Sequence, residues 1–395
     1  MKGLRKVLTP FAPDQSGAVS VLYALGGMVV IVDAGGCAGN ICGFDEPRWQ
    51  EQEVGAIFSA GLRDMDAILG RDDLLVRKLV SASGRIRCSF IALVGTPVPA
   101  VIGTDLPALA RMVEKKTGLP SFAVSCNGLR TYDYGLEETY ATLLKRFAEK
   151  VPEMELKERE LSRPGGANAV CETRGESELP PHSRRAVGVI GLTPLDFFDA
   201  AEVRRLTSAL RAEGFEEILL YGYEGGLEAI RRSASVSLNL VLSPAGVKAA
   251  QYMEKTYGIP YEIRWPVSLG RETLERLARI SLEKAEKGQN LRILAVHQQT
   301  VADSWRAEIE REIPGAEVTT ASWFMMNASE KRPGDRALRE EEDFSSLVSS
   351  GDFGAILADP LLRELVPGYQ GVWIDEGHFA VSGQRVRAGY RKALS

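Results

Sequence analysis

Two cysteines lie five residues apart in a glycine-rich segment that follows a short apolar run. The segment reads Asp-Ala-Gly-Gly-Cys-Ala-Gly-Asn-Ile-Cys-Gly from Asp33 to Gly43, and its cysteines are Cys37 and Cys42. Two thiolates on one loop can bind a common iron-sulfur cluster, and the glycines leave backbone N–H groups free to bond its sulfides. A tight turn with two small buried thiols explains the same residues, because free cysteine is among the most buried residue types. The spacing alone favours neither interpretation.

The remaining cysteines and the histidines are scattered along the chain. Cys88 begins an apolar run and Cys126 ends another, and each position favours core packing unless the fold brings it to the first loop. Cys171 lies in a polar stretch, and we interpret it as incidental. Five cysteines in a cytoplasmic chain of this size do not suggest a disulfide framework. The three histidines are too few for a histidine-based metal centre: His182, His297 and His378.

Polar residues stand in turns that follow several predicted strands, and open α/β sheets place their binding sites at this edge. Asn40 lies within the cysteine segment, and Thr96 and Asn127 follow two later apolar runs. His297 follows the run that opens the last quarter of the chain. We therefore name these four residues as candidates for a cleft, although capping of the helices that follow explains such residues equally well.

The composition is that of an ordinary globular chain, with 45% apolar and 26% charged residues among 395. The net charge of -5 and the absence of a basic stripe interleaved with aromatics argue against a nucleic-acid partner. No signal peptide and no run as long as a bilayer span is found, so we expect a cytoplasmic protein without a membrane partner. Walker A, G-x-G-x-x-G and G-x-S-x-G motifs are missing, which leaves nucleotide-binding, dehydrogenase and serine hydrolase functions unsupported.

The elements that must position these residues alternate between short apolar runs and amphipathic helices, which predicts parallel α/β units. The pattern recurs in three blocks and predicts three Rossmann-like domains, at 1–150, 186–290 and 291–395. The charged and Pro/Gly-rich stretch 151–185 is predicted to be a linker or surface excursion. Strands are predicted at 29–33, 89–94, 121–125, 186–191, 217–221, 238–242, 292–296 and 355–358. Helices are predicted at 64–81, 106–116, 140–150, 244–257 and 303–310.

Several segments together resemble the subunits of nitrogenase component 1. Residues 17–27, Gly36-Cys37, 66–70 and 101–105 are similar to the N-terminal third of that family. Residues 126–130, Cys-Asn-Gly-Leu-Arg, look like the family's Cys-x-Gly-Phe-Arg segment, and 237–241 with 252–260 look like its second-domain strand and helix. The superfamily includes dark-operative protochlorophyllide reductase and the reductive cyclase of the methanogenic nickel tetrapyrrole. The resemblance implies three Rossmann-like domains with parallel sheets around a central cleft.

The resemblance also implies an iron-sulfur cluster at a subunit interface, to which family members usually contribute three cysteines. Only one of these is plainly kept, as Cys37, since the other two positions fall near Asp14 and Thr96. Cys42 and Cys88 could replace the missing thiolates, and Asp14 could serve as an oxygen ligand, as an aspartate does in one relative. The implied cofactor is a four-iron, four-sulfur cluster.

The implied function is electron transfer by an iron-sulfur subunit. An ATP-dependent, iron-protein-like reductase would deliver low-potential electrons through the cluster to a small-molecule substrate in the cleft. The resemblance implies a homo- or hetero-oligomer, a dimer or tetramer with a related subunit. The family's cofactor-anchoring cysteine falls near Ser243, so we expect no nitrogenase-type molybdenum cofactor. A metallocluster scaffold or carrier, and a zinc-binding or cluster-free protein of the same fold, stay open as alternatives.

Overall fold

The structure is a computed structural model, and it describes residues 5–46, 56–63, 65, 70, 72–149, 185–197, 200–378 and 380. The stretch 151–184 with Cys171 and His182, and residues 66–69 of the resemblance, lie outside the described residues. No helix in the described part of the chain is long and apolar enough to cross a membrane.

The first domain contains a parallel sheet whose strands are buried apolar runs. The strands are β1 Met28–Ile31, β2 Ala56–Ser59, β3 Ile91–Val94 and β4 Ser121–Val124. They lie in the order β2-β1-β3-β4, and every residue of β1 and β3 is buried, as expected of strands covered on both faces. The helices are α1 Asp14–Leu22, α2 Gly36–Asn40, α3 Asp72–Ser83, α4 Pro97–Ile102, α5 Leu106–Thr117 and α6 Tyr132–Phe147.

The second domain repeats this architecture after the 151–184 stretch. Its strands are β5 Ala186–Ile190, β6 Glu217–Leu220, β7 Leu238–Val241 and β8 Tyr261–Ile263. The sheet order is β6-β5-β7-β8, and all of the pairs are parallel. Its helices are α7 Ala200–Ala212, α8 Gly226–Arg231, α9 Val247–Tyr257 and α10 Arg271–Ala285.

The third domain has a larger sheet, again parallel throughout. Its strands are β9 Arg292–Val296, β10 Glu317–Ser322, β11 Arg336–Ala337, β12 Ala355–Ala358 and β13 Val372–Asp375. The order is β11-β10-β9-β12-β13, with helices α11 Gln299–Glu312 and α12 Glu341–Gly351 between strands. The three parallel sheets with intervening helices confirm the predicted α/β class.

The observed strands test the sequence pattern directly. Each predicted strand coincides with an observed strand to within two residues at either end. The sequence predicts a helix from residue 140, whereas α6 begins at Tyr132. The first turns of α6 contain Asp133 and Gly135, which are weak helix formers, and burial against α1 holds them in the helix. The sequence also misses five of the observed strands, namely β2, β8, β10, β11 and β13. The Glu-Val-Thr-Thr-Ala-Ser run of β10 carries little apolar signal.

The domains share continuous cores, because helices at their boundaries pack on two domains at once. One core joins residues of the first and second sheets, and a second core joins the second and third sheets. Residues 6–8 pack on the third domain, where the Glu341 carboxylate at the start of α12 accepts backbone N–H bonds from Lys6, Val7 and Leu8 at 2.9, 3.0 and 2.7 Å. The described chain therefore contacts the third domain before it enters the first.

Helices α1 and α6 approach so closely that each requires a glycine at the crossing. A Cβ on Gly17 would overlap the carbonyl oxygen of Tyr132, and a Cβ on Gly135 would overlap that of Asp14. The absence of side chains at these two positions lets the two backbones come into contact. The crossing fixes where the amino terminus of α6 lies.

We predict that Gly135→Ala lowers the free energy of unfolding by about 3 kcal/mol or more, because backbone atoms must shift to admit the methyl group. Gly84→Ala is the matched control, since its nearest neighbours to a new Cβ lie at an ordinary 3.8 Å. Urea unfolding at neutral pH measures both. An equal, small change in the two variants would contradict the tight crossing.

Candidate functional site

The cysteine segment forms a short helical turn at the carboxyl edge of the first sheet. Gly35, with φ of 117°, starts α2, and a wider π-type turn at Ile41–Asp45 continues it. The Asp33 carboxylate ties this turn to the sheet, because it accepts the backbone N–H of Ala38 at 2.9 Å and the hydroxyl of Ser59 in β2 at 2.6 Å. The turn therefore has a defined position relative to β1 and β2.

A second carboxylate closes the other end of the turn. Asp45 is buried and accepts hydrogen bonds from the Asn40 amide at 2.8 Å and from the Ser16 hydroxyl of α1 at 2.7 Å. Asn40, which the sequence suggests as a cleft residue, thus uses its amide inside the turn. With Ile41 buried between them, the two anchored ends leave the cysteine positions rigidly held.

Cys37 and Cys42 are free thiols that are half-buried on this turn. Burial and then the Asp33 charge raise the pKa of Cys37, and a hydrogen bond with Thr96 opposes that rise in part. Burial and the charges of Glu46 and Asp33 raise the pKa of Cys42. Both thiols stay protonated near neutral pH unless a cation displaces the protons. The structure thus joins Cys37, Cys42 and Thr96 at one edge.

The glycines of the turn are not crowded by the described residues. A Cβ built on any of four glycines of the turn would find no atom of those residues within 4 Å: Gly35, Gly36, Gly39 and Gly43. Crowding within the described part of the chain therefore does not explain these glycines, apart from Gly35 with its left-handed backbone. Among the described residues, this side leaves room for a bulky group or for another subunit against the backbone.

Cys88 does not join this pair. It precedes β3 and hydrogen-bonds the backbone of Met28, the first residue of β1, so it lies at the amino edge of the sheet. Cys37 and Cys42 follow the carboxyl end of β1. Cys88 packs beside the apolar core under α3 and α5, the role that its position predicts by default. Among the described residues no three His, Cys, Asp or Glu side chains are grouped to hold a metal.

Asp14, like Cys88, has a structural role away from the cysteine pair. It is fully buried at the start of α1, and its two carboxylate oxygens accept the backbone N–H groups of Gln15, Asn127 and Gly128 at 2.9, 3.0 and 2.8 Å. The side chain of Asn127 accepts the N–H of Leu129 at 3.0 Å and so caps its own turn. Both residues shape the loop after β4, and neither offers a spare ligand atom to the cysteine turn.

A buried polar cluster lies where turns of the three domains meet, and we call it the junction cluster: Tyr132, Asp196, His297 and His378. The Tyr132 hydroxyl and His378 Nε2 both bond Asp196 Oδ1, the latter at 2.8 Å. His297 stacks on His378 with ring centroids 4.1 Å apart. Asp196 Oδ2 is buried with no hydrogen-bond partner among the described residues. The cluster combines the start of α6 with turns after β5, β9 and β13.

Burial decides the charge of this cluster. It raises the pKa of Asp196 to about 7 and lowers the pKa of His378 to about 3. Burial and the neighbouring His378 lower the pKa of His297 well below its usual range. His297 Nδ1 accepts the N–H of Gln298 at 2.8 Å, which places its proton on Nε2. The contact of Asp196 with His378 is therefore a hydrogen bond to a neutral imidazole. The group that holds a proton close to pH 7 is the Asp196 carboxyl.

Of these four residues, the sequence predicts only His297 as a candidate site residue. Tyr132 lies outside the helix predicted from residue 140, and Asp196 stands in a Thr-Pro-Leu-Asp turn without a known motif. Asp196 and His378 lie 64 and 246 residues from Tyr132 in the sequence, so no local pattern indicates that they contact it. The available signal was position: three of the four follow the carboxyl ends of parallel strands.

Comparison with known proteins matches this architecture. The sequence profile of nitrogenase component 1 type oxidoreductases matches residues 14–305. The chain belongs to this family. Family members bind metal clusters and form oligomers with related subunits and a reductase partner. No curated protein matches the chain.

Two solved structures show the same fold as this nitrogenase component 1 type chain. A structure described as nitrogenase Cp1 at pH 6.5 is 12% identical with a TM-score of 0.61, and the match covers 100% of this chain and 90% of the other. A second, described as nitrogenase Cp1 at pH 5, is 14% identical with a TM-score of 0.63 and coverages of 99% and 89%. At this identity the likeness concerns the fold.

We predict that Asp196→Asn removes a pH dependence of stability. A carboxyl whose pKa is raised on folding stabilises the protein at low pH, and this contribution is lost as the pH rises from about 4 to about 7. The stability of the wild type relative to Asp196→Asn should therefore fall by roughly 3 kcal/mol between pH 5 and pH 8. Urea unfolding across this range, with exposed Asp352→Asn as control, measures it. A constant difference would show that the carboxyl titrates as if exposed.

Proposed function

We propose that this chain is the iron-sulfur subunit of a two-component, nitrogenase-like oxidoreductase, with Cys37 and Cys42 as its ligands to a four-iron cluster. The observation that carries the proposal is the placement of both thiols on one anchored turn at the carboxyl edge of the first sheet. Family membership supplies the reaction class, oxidoreduction, and the turn supplies the donor atoms.

The donor set fits part of such a cluster. Cysteine thiolates are the usual ligands of four-iron clusters, which take four of them. The cysteine turn offers two, and Cys88 lies at the other edge of the sheet. A second copy of the turn, or a related subunit, would complete the four across an interface, and the open space beside the glycines accommodates that approach. The proposed oligomer is therefore required by the ligand count.

The neighbouring residues have positioning roles under this proposal. Asp33 and Asp45 hold the two ends of the turn, and their hydrogen bonds to Ala38 and Asn40 keep the thiols at a fixed separation. Thr96 donates to the Val32 carbonyl at 2.8 Å and lies against Cys37, so it orients that thiol from β3. The high pKa of both thiols disfavours the free thiolate and makes them dependent on the metal.

A bound cluster would supply one-electron transfer at low potential, fed by an ATP-dependent iron-protein-like reductase. The junction cluster gives this chain a proton-holding group at a second place, since Asp196 keeps a proton close to neutral pH. Reduction of a small molecule in the cleft consumes electrons and protons together. The substrate of the proposed enzyme is a small molecule that reaches the turns of the three sheets.

Metal analysis tests the proposal. We expect anaerobically purified protein to contain iron and sulfide, and to show visible absorption that bleaches on reduction. Cys37→Ser and Cys42→Ser should each lower the iron content several-fold, because each removes one thiolate ligand. Cys88→Ser is the matched control and should keep the wild-type iron content.

Two further results complete that experiment. Native mass spectrometry should show iron only in oligomers, with dissociation to protomers when Cys37 is replaced. Wild-type protein without iron, or unchanged iron in Cys37→Ser, would remove the proposal. Iron with reversible bleaching but without substrate turnover beside its reductase would assign the chain to cluster carriage instead of catalysis.

A further inference from the structure

A cavity of about 250 Å³, lined mostly by polar and charged residues, lies between the second and third domains, away from the cysteine turn. We call it the inter-domain pocket. Pro244 and Arg264 bound it from the second domain, and the start of α11 and the loop after β10 bound it from the third. These segments all follow the carboxyl ends of parallel strands, which is where ligands of open α/β sheets bind.

The wall of the pocket contains a buried arginine with an unused donor. Arg306 is 2% exposed, and its guanidinium bonds Asp303 at 2.6 Å and Asp335 at 2.7 Å. Its Nε is buried and has no hydrogen-bond partner within the described chain. A buried donor of a charged group without a partner is costly, and a ligand oxygen would satisfy it.

Two more arginines line the same pocket and are held from outside. Arg264 makes a two-pronged ion pair with Glu213 at 2.6 and 2.9 Å, and Arg332 bonds Glu310 at 2.8 Å. Arg264 Nε also bonds Glu262 at 2.9 Å. These ion pairs offset part of the positive charge and fix each guanidinium in one place. Preorganised arginines suit planar oxyanions, because the guanidinium presents its N–H groups in a rigid fork.

Helix α11 adds its positive end to these cations. It is fourteen residues long, and its first turn, with Gln299 and Thr300, lines the pocket. The Gln299 side chain binds the backbone of Asn327 through both its atoms, at 2.5 and 3.2 Å, and so clamps the loop after β10 onto the helix start. The loop therefore has a fixed position beside the pocket, and the helix dipole favours a negative group at the start of α11.

We propose that the inter-domain pocket binds a small molecule that carries a carboxylate or phosphate group. Arg306, Arg264 and Arg332 would receive the oxyanion at the start of α11. Asp303 and Glu330, which also line the pocket, would accept hydrogen bonds from a hydroxyl or amine on the same molecule. The cavity admits only a small ligand. This site is independent of the cysteine turn and of the proposed cluster.

Calorimetric titration of the purified full chain with inorganic phosphate, and separately with malate, tests this proposal at constant ionic strength in potassium chloride. We expect one of the two probes to bind with one site per protomer. The probe that binds tells which oxyanion the pocket takes.

Charge-matched variants show where the probe binds. Arg264→Gln with Arg332→Gln should weaken binding tenfold or more. Arg77→Gln with Arg271→Gln is the control, because these side chains are 63% and 92% exposed on α3 and α10 and the pair removes the same two charges outside the pocket. Thermal unfolding of each variant confirms folding. No binding of either probe at millimolar concentration, or equal binding by the double variant and the wild type, would overturn the proposal.

Discussion

The contact between α1 and α6 is the constraint on which the rest of the molecule depends. Glycines at the crossing let the two backbones touch, and α6 then reaches the second domain with Tyr140, whose hydroxyl donates to the carbonyls of Leu192 and Tyr221 at 3.1 and 3.0 Å. The same helix begins at Tyr132, which points its hydroxyl into the junction cluster. A wider crossing would therefore displace the domain contact and the buried cluster together.

Carboxylates and thiols have divided roles in the first domain. Asp14, Asp33 and Asp45 are all buried, and their oxygens accept hydrogen bonds from backbone N–H groups or from neighbouring hydroxyl and amide groups, in Asp45 through Oδ2. Buried carboxylates must be satisfied in this way, because an unpaired charge inside a protein is costly. The thiols of Cys37 and Cys42 are uncharged near neutral pH and need no such partners. The acidic residues near the turn consequently fix its shape, and the thiols remain as its donors.

The sequence predicts the fully buried strands because burial on both faces gives them a local apolar signature, as in Met28–Ile31 and Ile91–Val94. It cannot predict that Asp14 caps a loop more than a hundred residues away, since that role depends on the α1–α6 crossing. The local residue pattern predicts the cysteine turn. That Cys88 lies at the opposite edge of the sheet follows only from the direction of the strands. The junction cluster depends on contacts between three domains and has no local pattern.

The two chemical centres of the chain differ in how they treat charge. The cysteine turn is half-buried, and no other described residue crowds its glycines, so under the proposed function a charge that arrives there can be shared with another subunit. The junction cluster is buried. A charged Asp196 there would face two neutral imidazoles, and its Oδ2 would have no hydrogen-bond donor among the described residues. Such a site favours a proton over a negative charge. Under the proposed function, this arrangement separates the turn where an electron would enter from the cluster where a proton is kept, and the contact of α1 with α6 connects the two.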